Sequence, residues 1–164
     1  MTRDAIITDC GKYRYALSRN WGAGEEFVCF IMLNPSTADA KKDDPTIRRC
    51  VSFARTWGYS NLEVVNLFAW RTPYTGDFRG VADPVGPDNS GYLLDAMSRA
   101  TIVIAAWGGL ELARPRAQEV RQMAAQIRQR LYCLGVTKSG GPRHPLYVRG
   151  YTLPKLYQPE VTQQ

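Results

Sequence analysis

The chain has 164 residues, of which 45% are hydrophobic and 22% charged, and its formal net charge is +6. These values fit a single globular domain and exclude collagen-like and intrinsically disordered chains. No apolar run approaches the ~18 residues that span a bilayer, and the first residues lack the apolar core of a secretory signal. We therefore expect one cytoplasmic domain with no membrane partner, a core over about residues 5–150 and a polar tail over 151–164. The positive charge favours polyanionic partners.

The cysteines and the single histidine argue against a metal centre. Cys10, Cys29, Cys50 and Cys133 are far apart in sequence and form no C-x-x-C pair, and the chain has one histidine. Zinc sites need clustered ligands, and disulfide frameworks belong to short secreted chains. We predict four reduced and mostly buried thiols, no metal site and no cofactor.

The first third of the chain predicts an outer strand, a buried strand and a helix. Residues 13–21 alternate polar and apolar side chains, which favours a strand at a sheet edge or in a hairpin. Residues 27–33 are a continuous run of apolar β-formers, typical of a strand buried on both faces, and the run stops at Asn34. Asp44 then supplies an N-cap, and Pro45 is suited to the first turn of a helix.

The remaining two thirds repeat the alternation of strand and helix. In chain order we predict a strand over 62–65 that ends at Asn66, a long loop over 67–87, a helix over 89–99, a strand over 101–106, a helix from Pro115, a strand over 131–134 and a glycine-rich turn over 140–145. A loop as long as 67–87 is usually functional. The polar tail after Tyr151 is expected to fray.

This alternation predicts an α/β fold: a three-layer α/β/α sandwich with a central, mainly parallel four-stranded sheet and an N-terminal hairpin or edge strands. Ligands of such sheets bind beyond the carboxyl ends of the strands. Asn34, Asn66 and Trp107 follow three predicted strands, and His144 lies in the glycine-rich turn. We expect these side chains to share one polar pocket.

Each of the polar candidates has an alternative role. Asn34 either holds a water or reads a base edge, or it is a turn asparagine bonded to nearby backbone. Asn66 precedes apolar residues, so a buried amide there must find partners, and a ligand is one source of them. His144 either donates a hydrogen bond to developing negative charge or lies exposed in its loop.

Aromatic and acidic residues supply further candidates. Phe68, Trp70 and Trp107 either stack on bases or anchor their loops on the core. Asp39, Asp43 and Asp44 form an acidic group that suits a divalent cation, although Asp44 is more simply an N-cap. The acidic group leaves open a metal-dependent hydrolase.

Four ordered motifs, FIMLNPSTADAKKDDPTIRRC, VVNLFAWR, AAWG and CLGVTKSGGPRHPLY, closely resemble those of a bacterial and phage family of unknown function, family 1643. The resemblance covers about residues 5–150. Motif order and placement also resemble, more distantly, the uracil-DNA glycosylase superfamily of α/β/α base-removing enzymes. The chain keeps the Asn-Pro of that superfamily's first motif at Asn34 and Pro35, without its two glycines, and the His-Pro of its last motif at His144 and Pro145, without its serine-rich wedge.

The glycosylase resemblance implies a division of roles. Asn34 positions the attacking water, His144 stabilises charge on the departing base, and Asn66 reads the flipped base. Pro35, Phe68, Trp70 and Trp107 complete the base site. The residues expected to contact phosphates are Arg48, Arg49, Lys138 and Arg143.

The leading hypothesis is a glycosylase-like protein that binds a nucleobase, a nucleotide or nucleic acid and hydrolyses an N-glycosidic bond. The alternatives are a sensor of nucleic acid or nucleotides without catalysis, and the metal-dependent hydrolase built on the acidic group. The base, the type of nucleic acid and the oligomeric state stay open.

Overall fold

A computed structural model describes residues 1–158, which form one seven-stranded sheet and three α-helices. The strands are β1 (Thr2–Ile7), β2 (Arg14–Asn20), β3 (Val28–Met32), β4 (Asn61–Asn66), β5 (Ile102–Ala105), β6 (Leu131–Cys133) and β7 (Lys155–Leu156). The helices are α1 (Pro45–Thr56), α2 (Asn89–Arg99) and α3 (Arg114–Gln126). The predicted mixed α/β fold is confirmed.

The sheet is larger and less parallel than predicted. Its strand order is β1-β2-β4-β3-β5-β6-β7. The pairs β4–β3, β3–β5 and β5–β6 are parallel, whereas β1–β2, β2–β4 and β6–β7 are antiparallel. The sequence predicts a central, mainly parallel sheet of four strands with an N-terminal hairpin or edge strands. The sheet has seven strands, half of its six pairings are antiparallel, and β2 pairs on both sides because β1 covers its outer edge.

The polar tail contributes to the sheet, contrary to the prediction that it frays after Tyr151. Lys155 and Leu156 form β7, which pairs with β6. A two-residue strand carries too short a pattern to be recognised in sequence. Residues 159–164 of the predicted tail lie outside the described residues.

Strand β3 lies at the centre of the core, with all five residues buried, as its continuous apolar run predicts. Successive side chains of a strand point to opposite faces of a sheet. Cys29 and Ile31 pack with buried residues of α2 and α3, whereas Phe30 and Met32 pack with those of α1. The helices therefore cover both faces of the sheet, with α1 alone on one of them.

The starts of the three helices were predicted correctly from local sequence signals. The Asp44 side chain accepts a hydrogen bond of 2.9 Å from the Ile47 amide, and Pro45 is the first residue of α1. Helix α2 has the predicted bounds, and Pro115 lies in the first turn of α3. The α1 cap places the Asp44 carboxylate near the carboxyl edge of the sheet.

The thiols are free in the structure, and three of the four are buried, as predicted. Cys10 is the exposed one. Burial raises the pKa of the Cys29 and Cys50 thiols well above the usual range, so both are protonated and inert. Within residues 1–158, no helix has the length and apolar character needed to cross a membrane.

Candidate functional site

A cavity of about 750 Å³ lies at the carboxyl ends of β3 and β4, beside the start of α1. Asn34, Asn66, Trp107 and His144 all line it, although they come from four separate parts of the chain. Its volume is in the range of ordinary ligand pockets. The structure therefore brings together the three side chains that follow predicted strands and the histidine of the glycine-rich turn.

Asn66 is the last residue of β4, and its side chain is buried in the cavity wall. The residue is 1% exposed, and neither its amide nitrogen nor its amide oxygen has a hydrogen-bond partner in residues 1–158. An unpaired buried amide costs about 1–3 kcal/mol. The side chain thus presents a donor and an acceptor that the described protein does not use.

His144 is half-buried at the cavity, and its contacts define which ring nitrogen carries the proton. Nδ1 accepts a hydrogen bond of 3.2 Å from the Leu146 amide, so in the neutral ring the proton sits on Nε2. Burial lowers the pKa of His144, and the nearby Asp44 carboxylate only partly opposes this effect. At neutral pH the imidazole is therefore uncharged and retains Nε2–H as a donor.

The Asn34 amide connects the end of β3 to the long loop. Nδ2 donates to the carbonyl oxygens of Pro35 and Thr72, each at 3.2 Å, and Oδ1 accepts from the Gly76 amide at 3.0 Å. Both amide hydrogens are therefore used by the backbone. These contacts match the loop-holding role considered for Asn34, and one lone pair of Oδ1 is left to meet a water.

Arg14 and Asp44 also line the cavity, and the sequence did not indicate Arg14 as a site residue. Arg14 is 2% exposed, yet within residues 1–158 its guanidinium donates a single hydrogen bond, from Nη1 to the Ala38 carbonyl, at 3.0 Å. Its Nε is buried without a partner in residues 1–158. Arg14 belongs to a strand expected at a sheet edge or in a hairpin, where an arginine is normally solvated, so the sequence pattern did not indicate its burial.

Of the predicted stacking residues, Trp107 lies at the cavity and two others lie elsewhere. Trp107 is 3% exposed and meets the ring of Tyr157 edge-on. Phe68 packs in the core with its ring 4.7 Å from that of Phe78, and Trp70 meets Tyr13 edge-on at 5.5 Å. Neither Phe68 nor Trp70 lines the cavity, so these two rings anchor the long loop instead.

Pro35 is buried beside the cavity and does not line it. Its contribution is through the backbone, because its carbonyl oxygen accepts from the Asn34 side chain and from the Thr72 amide. The Asn-Pro pair therefore fixes the long loop over the strand end. Direct contact between Pro35 and a ligand stays a prediction.

The four basic residues expected at phosphates have different environments. Arg143 is exposed and lines the cavity, with Nε donating to a backbone carbonyl. Arg49 donates to the carbonyls of Pro145 and Val148, so it holds the segment after His144 against α1. Arg48 and Lys138 are exposed and do not line the cavity.

The acidic residues do not converge on one point. Asp39 Oδ1 accepts two backbone amides at 2.8 Å, Asp43 pairs with Arg19 at 2.8 Å, and Asp44 caps α1. Across residues 1–158, no group of three or more His, Cys, Asp and Glu side chains is placed to hold a metal ion. The ligand set on which the metal-dependent hydrolase rested is thus missing from the described part of the chain.

A model of the family described as "Protein of unknown function (DUF1643)" matches residues 14–146. The chain belongs to the DUF1643 family. This match confirms the family resemblance of the four motifs, and it extends from Arg14 past His144, so the DUF1643 region contains Arg14, Asp44, Asn66 and His144. No curated protein and no solved structure matches the chain.

Proposed function

We propose that this DUF1643 protein binds a nucleobase in the cavity, as the resemblance to uracil-DNA glycosylases implies. The observation that carries the proposal is the buried and unpartnered amide of Asn66 in the cavity wall. A base edge with a carbonyl beside an N–H offers the matching acceptor and donor in one plane. Binding such an edge would satisfy both atoms of the amide and remove the cost of leaving them unpaired.

His144 supports a further step, hydrolysis of the N-glycosidic bond. Water adds to the sugar carbon, the C–N bond breaks with its electron pair on the base, and the proton that the water loses ends on the released base. Negative charge therefore develops on the base before that proton arrives. The neutral ring of His144 retains an Nε2–H that can donate to a base oxygen carrying this charge. In this mechanism the free lone pair of Asn34 Oδ1 orients the water.

Nucleic acid is the proposed source of the base. The formal net charge of +6 favours a polyanion, and Arg143 lies where the cavity meets solvent. Exposed Arg48 and Lys138 are further candidates for phosphates, whereas Arg49 is engaged by backbone carbonyls. The Trp107 indole would form part of the wall against which an extruded base lies.

A second candidate is a sensor that binds a nucleobase or nucleotide without cleaving it. The contacts of Asn34 favour this function, because two backbone carbonyls take both of its amide hydrogens. An amide held in this way has less capacity to position a water. The binding half of the proposal is unaffected, since it rests on Asn66.

Both functions are tested by one pair of assays. Single- and double-stranded oligonucleotides, each with one normal or modified base, are incubated with the protein, and released base is measured by mass spectrometry. Equilibrium binding of the same bases is measured in parallel. The variants are Asn66→Leu and His144→Gln, with Gln122→Ala on the exposed side of α3 as the control.

Release that is lost in both site variants and kept in the control supports the glycosylase. Binding that needs Asn66, without release, supports the sensor. If no base in the panel is bound or released, both functions are wrong.

A further inference from the structure

Three buried polar side chains line the same cavity: Arg14 at 2% exposure, Asn66 at 1% and Asp44 at 9%. We call them the buried polar cluster. Arg14 and Asn66 belong to β2 and β4, which are paired neighbours in the sheet, and Asp44 immediately precedes α1. The cluster therefore combines a cation, an amide and a carboxylate, all shielded from bulk water.

Arg14 is the member whose bonding is least complete. A guanidinium carries five N–H donors, and the structure gives this one a single hydrogen bond, to Ala38. Among residues 1–158, Arg14 makes no ion pair, and its Nε has no partner. Burial lowers its pKa to about 10, so it remains a cation at neutral pH. Burying a cation with so few partners is unfavourable.

The charges around the cavity favour an anionic guest. Arg14 and Arg143 are cationic, Asp44 is anionic, and His144 is neutral at neutral pH. The first residues of α1 also line the cavity, which adds the positive end of a helix dipole. Asp44 caps that helix and is not ion-paired with Arg14, so it does not neutralise Arg14 by direct contact.

We propose that the base-binding cavity also binds an oxyanion on its ligand, and that Arg14 is the residue that recognises it. The planar guanidinium fork matches a carboxylate or a phosphate in bidentate geometry. The oxyanion is either a carboxylate on the base itself or the phosphate of a mononucleotide. This inference rests on the proposed function, because it places the oxyanion beside the base edge that Asn66 reads.

The first test uses the wild-type protein and three matched pairs of ligands: uracil and 5-carboxyuracil, uridine and its 5′-monophosphate, inosine and its 5′-monophosphate. Affinities are measured by calorimetry. We expect the anionic member of at least one pair to bind about tenfold tighter or more. Preference within the uracil pair assigns the oxyanion to the base, and preference within a nucleoside pair assigns it to the phosphate.

Equal affinities within every pair that binds overturn the inference and leave base binding intact. If none of the six ligands binds, the proposed function fails, and the inference fails with it. The three neutral ligands distinguish these two failures, because their binding tests base recognition without an oxyanion.

The second test separates Arg14 from the other cavity arginine. In Arg14→Met we expect the anionic preference to fall about tenfold, with the affinity for the neutral member almost unchanged. Arg14→Lys keeps the charge without the fork and should retain part of the preference. Arg143→Met, at the exposed rim, is the comparison variant and should reduce the preference less than Arg14→Met does. Arg130→Met, exposed and outside the cavity lining, is the matched control.

A preference that survives Arg14→Met and disappears in Arg143→Met overturns the assignment to Arg14. Circular dichroism checks that each variant is folded. If Arg14→Met does not fold, the wild-type comparison and Arg14→Lys still decide. An anionic preference that is unchanged in Arg14→Lys and lost in Arg143→Met contradicts the role of the guanidinium fork.

Discussion

Arg14 and Arg19 lie on the same strand and are both almost fully buried, but they differ in how many guanidinium donors have a protein partner. Both belong to β2, with 2% and 1% exposure. Arg19 Nε donates to Asp43 Oδ1 at 2.8 Å, and its two Nη groups donate to the carbonyls of Asp4, Ser18, Asp39 and Lys42. The Arg14 guanidinium, by contrast, donates one hydrogen bond to residues 1–158, to the Ala38 carbonyl.

The difference is the reason for assigning a structural role to Arg19 and for proposing a binding role for Arg14. The contacts of Arg19 account for all five guanidinium donors, and they hold the loop before α1 against the sheet. Arg14 is buried to the same degree but faces a cavity, and most of its donors have no protein partner. Burial alone is the same for both; the count of satisfied donors, together with an adjoining cavity, separates their roles.

The largest expected effect comes from removing Arg19. Arg19→Met leaves Asp43 and four carbonyls without their donor, so the free energy of unfolding should fall by about 3 kcal/mol or more. Arg14→Met removes a poorly paired cation and should change it by about 1 kcal/mol or less. Urea unfolding followed by tryptophan fluorescence measures both. If the free energy of unfolding falls equally in the two variants, the two arginines have the same structural role and the distinction between them is wrong.

A second pair, Asn66 and Asn89, applies the same reasoning to amides. Asn89 is fully buried, and its Nδ2 donates to the carbonyls of Asn66 and Leu67, each at 3.0 Å, whereas its Oδ1, like both amide atoms of Asn66, has no partner in residues 1–158. The two residues therefore differ in whether the amide nitrogen is bonded. Asn89→Leu loses both bonds and should cost about 2 kcal/mol, whereas Asn66→Leu should raise stability by about 1 kcal/mol and abolish base binding. Thermal melts and base titrations measure the two quantities. If Asn66→Leu destabilises as much as Asn89→Leu, the amide has a structural role.

The features predictable from sequence are those fixed by local pattern and by strand direction. The β3 run, the Asp44 cap and the bounds of α2 follow from periodicity and turn chemistry. Asn34 and Asn66 reach one cavity because parallel strands end at the same edge of the sheet. The end of a buried strand can be predicted because the apolar run stops there in the sequence.

The features that sequence did not predict depend on what packs over a residue. Arg14 is buried because the loop through Ala38 covers it, and no pattern within β2 reports that cover. Phe68 and Trp70 are aromatic, as stacking residues are, but side-chain direction in a long loop follows no period, and neither residue lines the cavity. The burial of Arg14 was therefore not predictable from sequence, because it depends on a contact with a residue far away along the chain.

Asn34 tests whether a cavity residue can be mainly structural. Asn34→Asp exchanges the amide hydrogens for a second acceptor, so the bonds to the Pro35 and Thr72 carbonyls are lost while the bond from the Gly76 amide is kept. We expect a loss of about 1–2 kcal/mol and faster hydrogen exchange of the Thr72 amide, which bonds the Pro35 carbonyl. Unchanged stability with lost base release would instead favour the water-positioning role.

The smallest expected effect is the pH dependence due to His144. Its pKa in the folded protein is lowered from 6.5 by burial, so between that lowered value and 6.5 the unfolded chain binds more protons. The contribution of His144 to stability is therefore complete above about pH 6.5 and declines as the pH falls through this window. His144→Gln should remove this part of the pH dependence.

In an NMR titration the His144 ring should have its midpoint below 6.5. Asp44→Asn, which keeps the helix cap, should move that midpoint lower because the opposing carboxylate charge is gone. A midpoint above 6.5 would mean that the ring is charged near neutral pH, and the neutral donor on which the hydrolytic step depends would be lost.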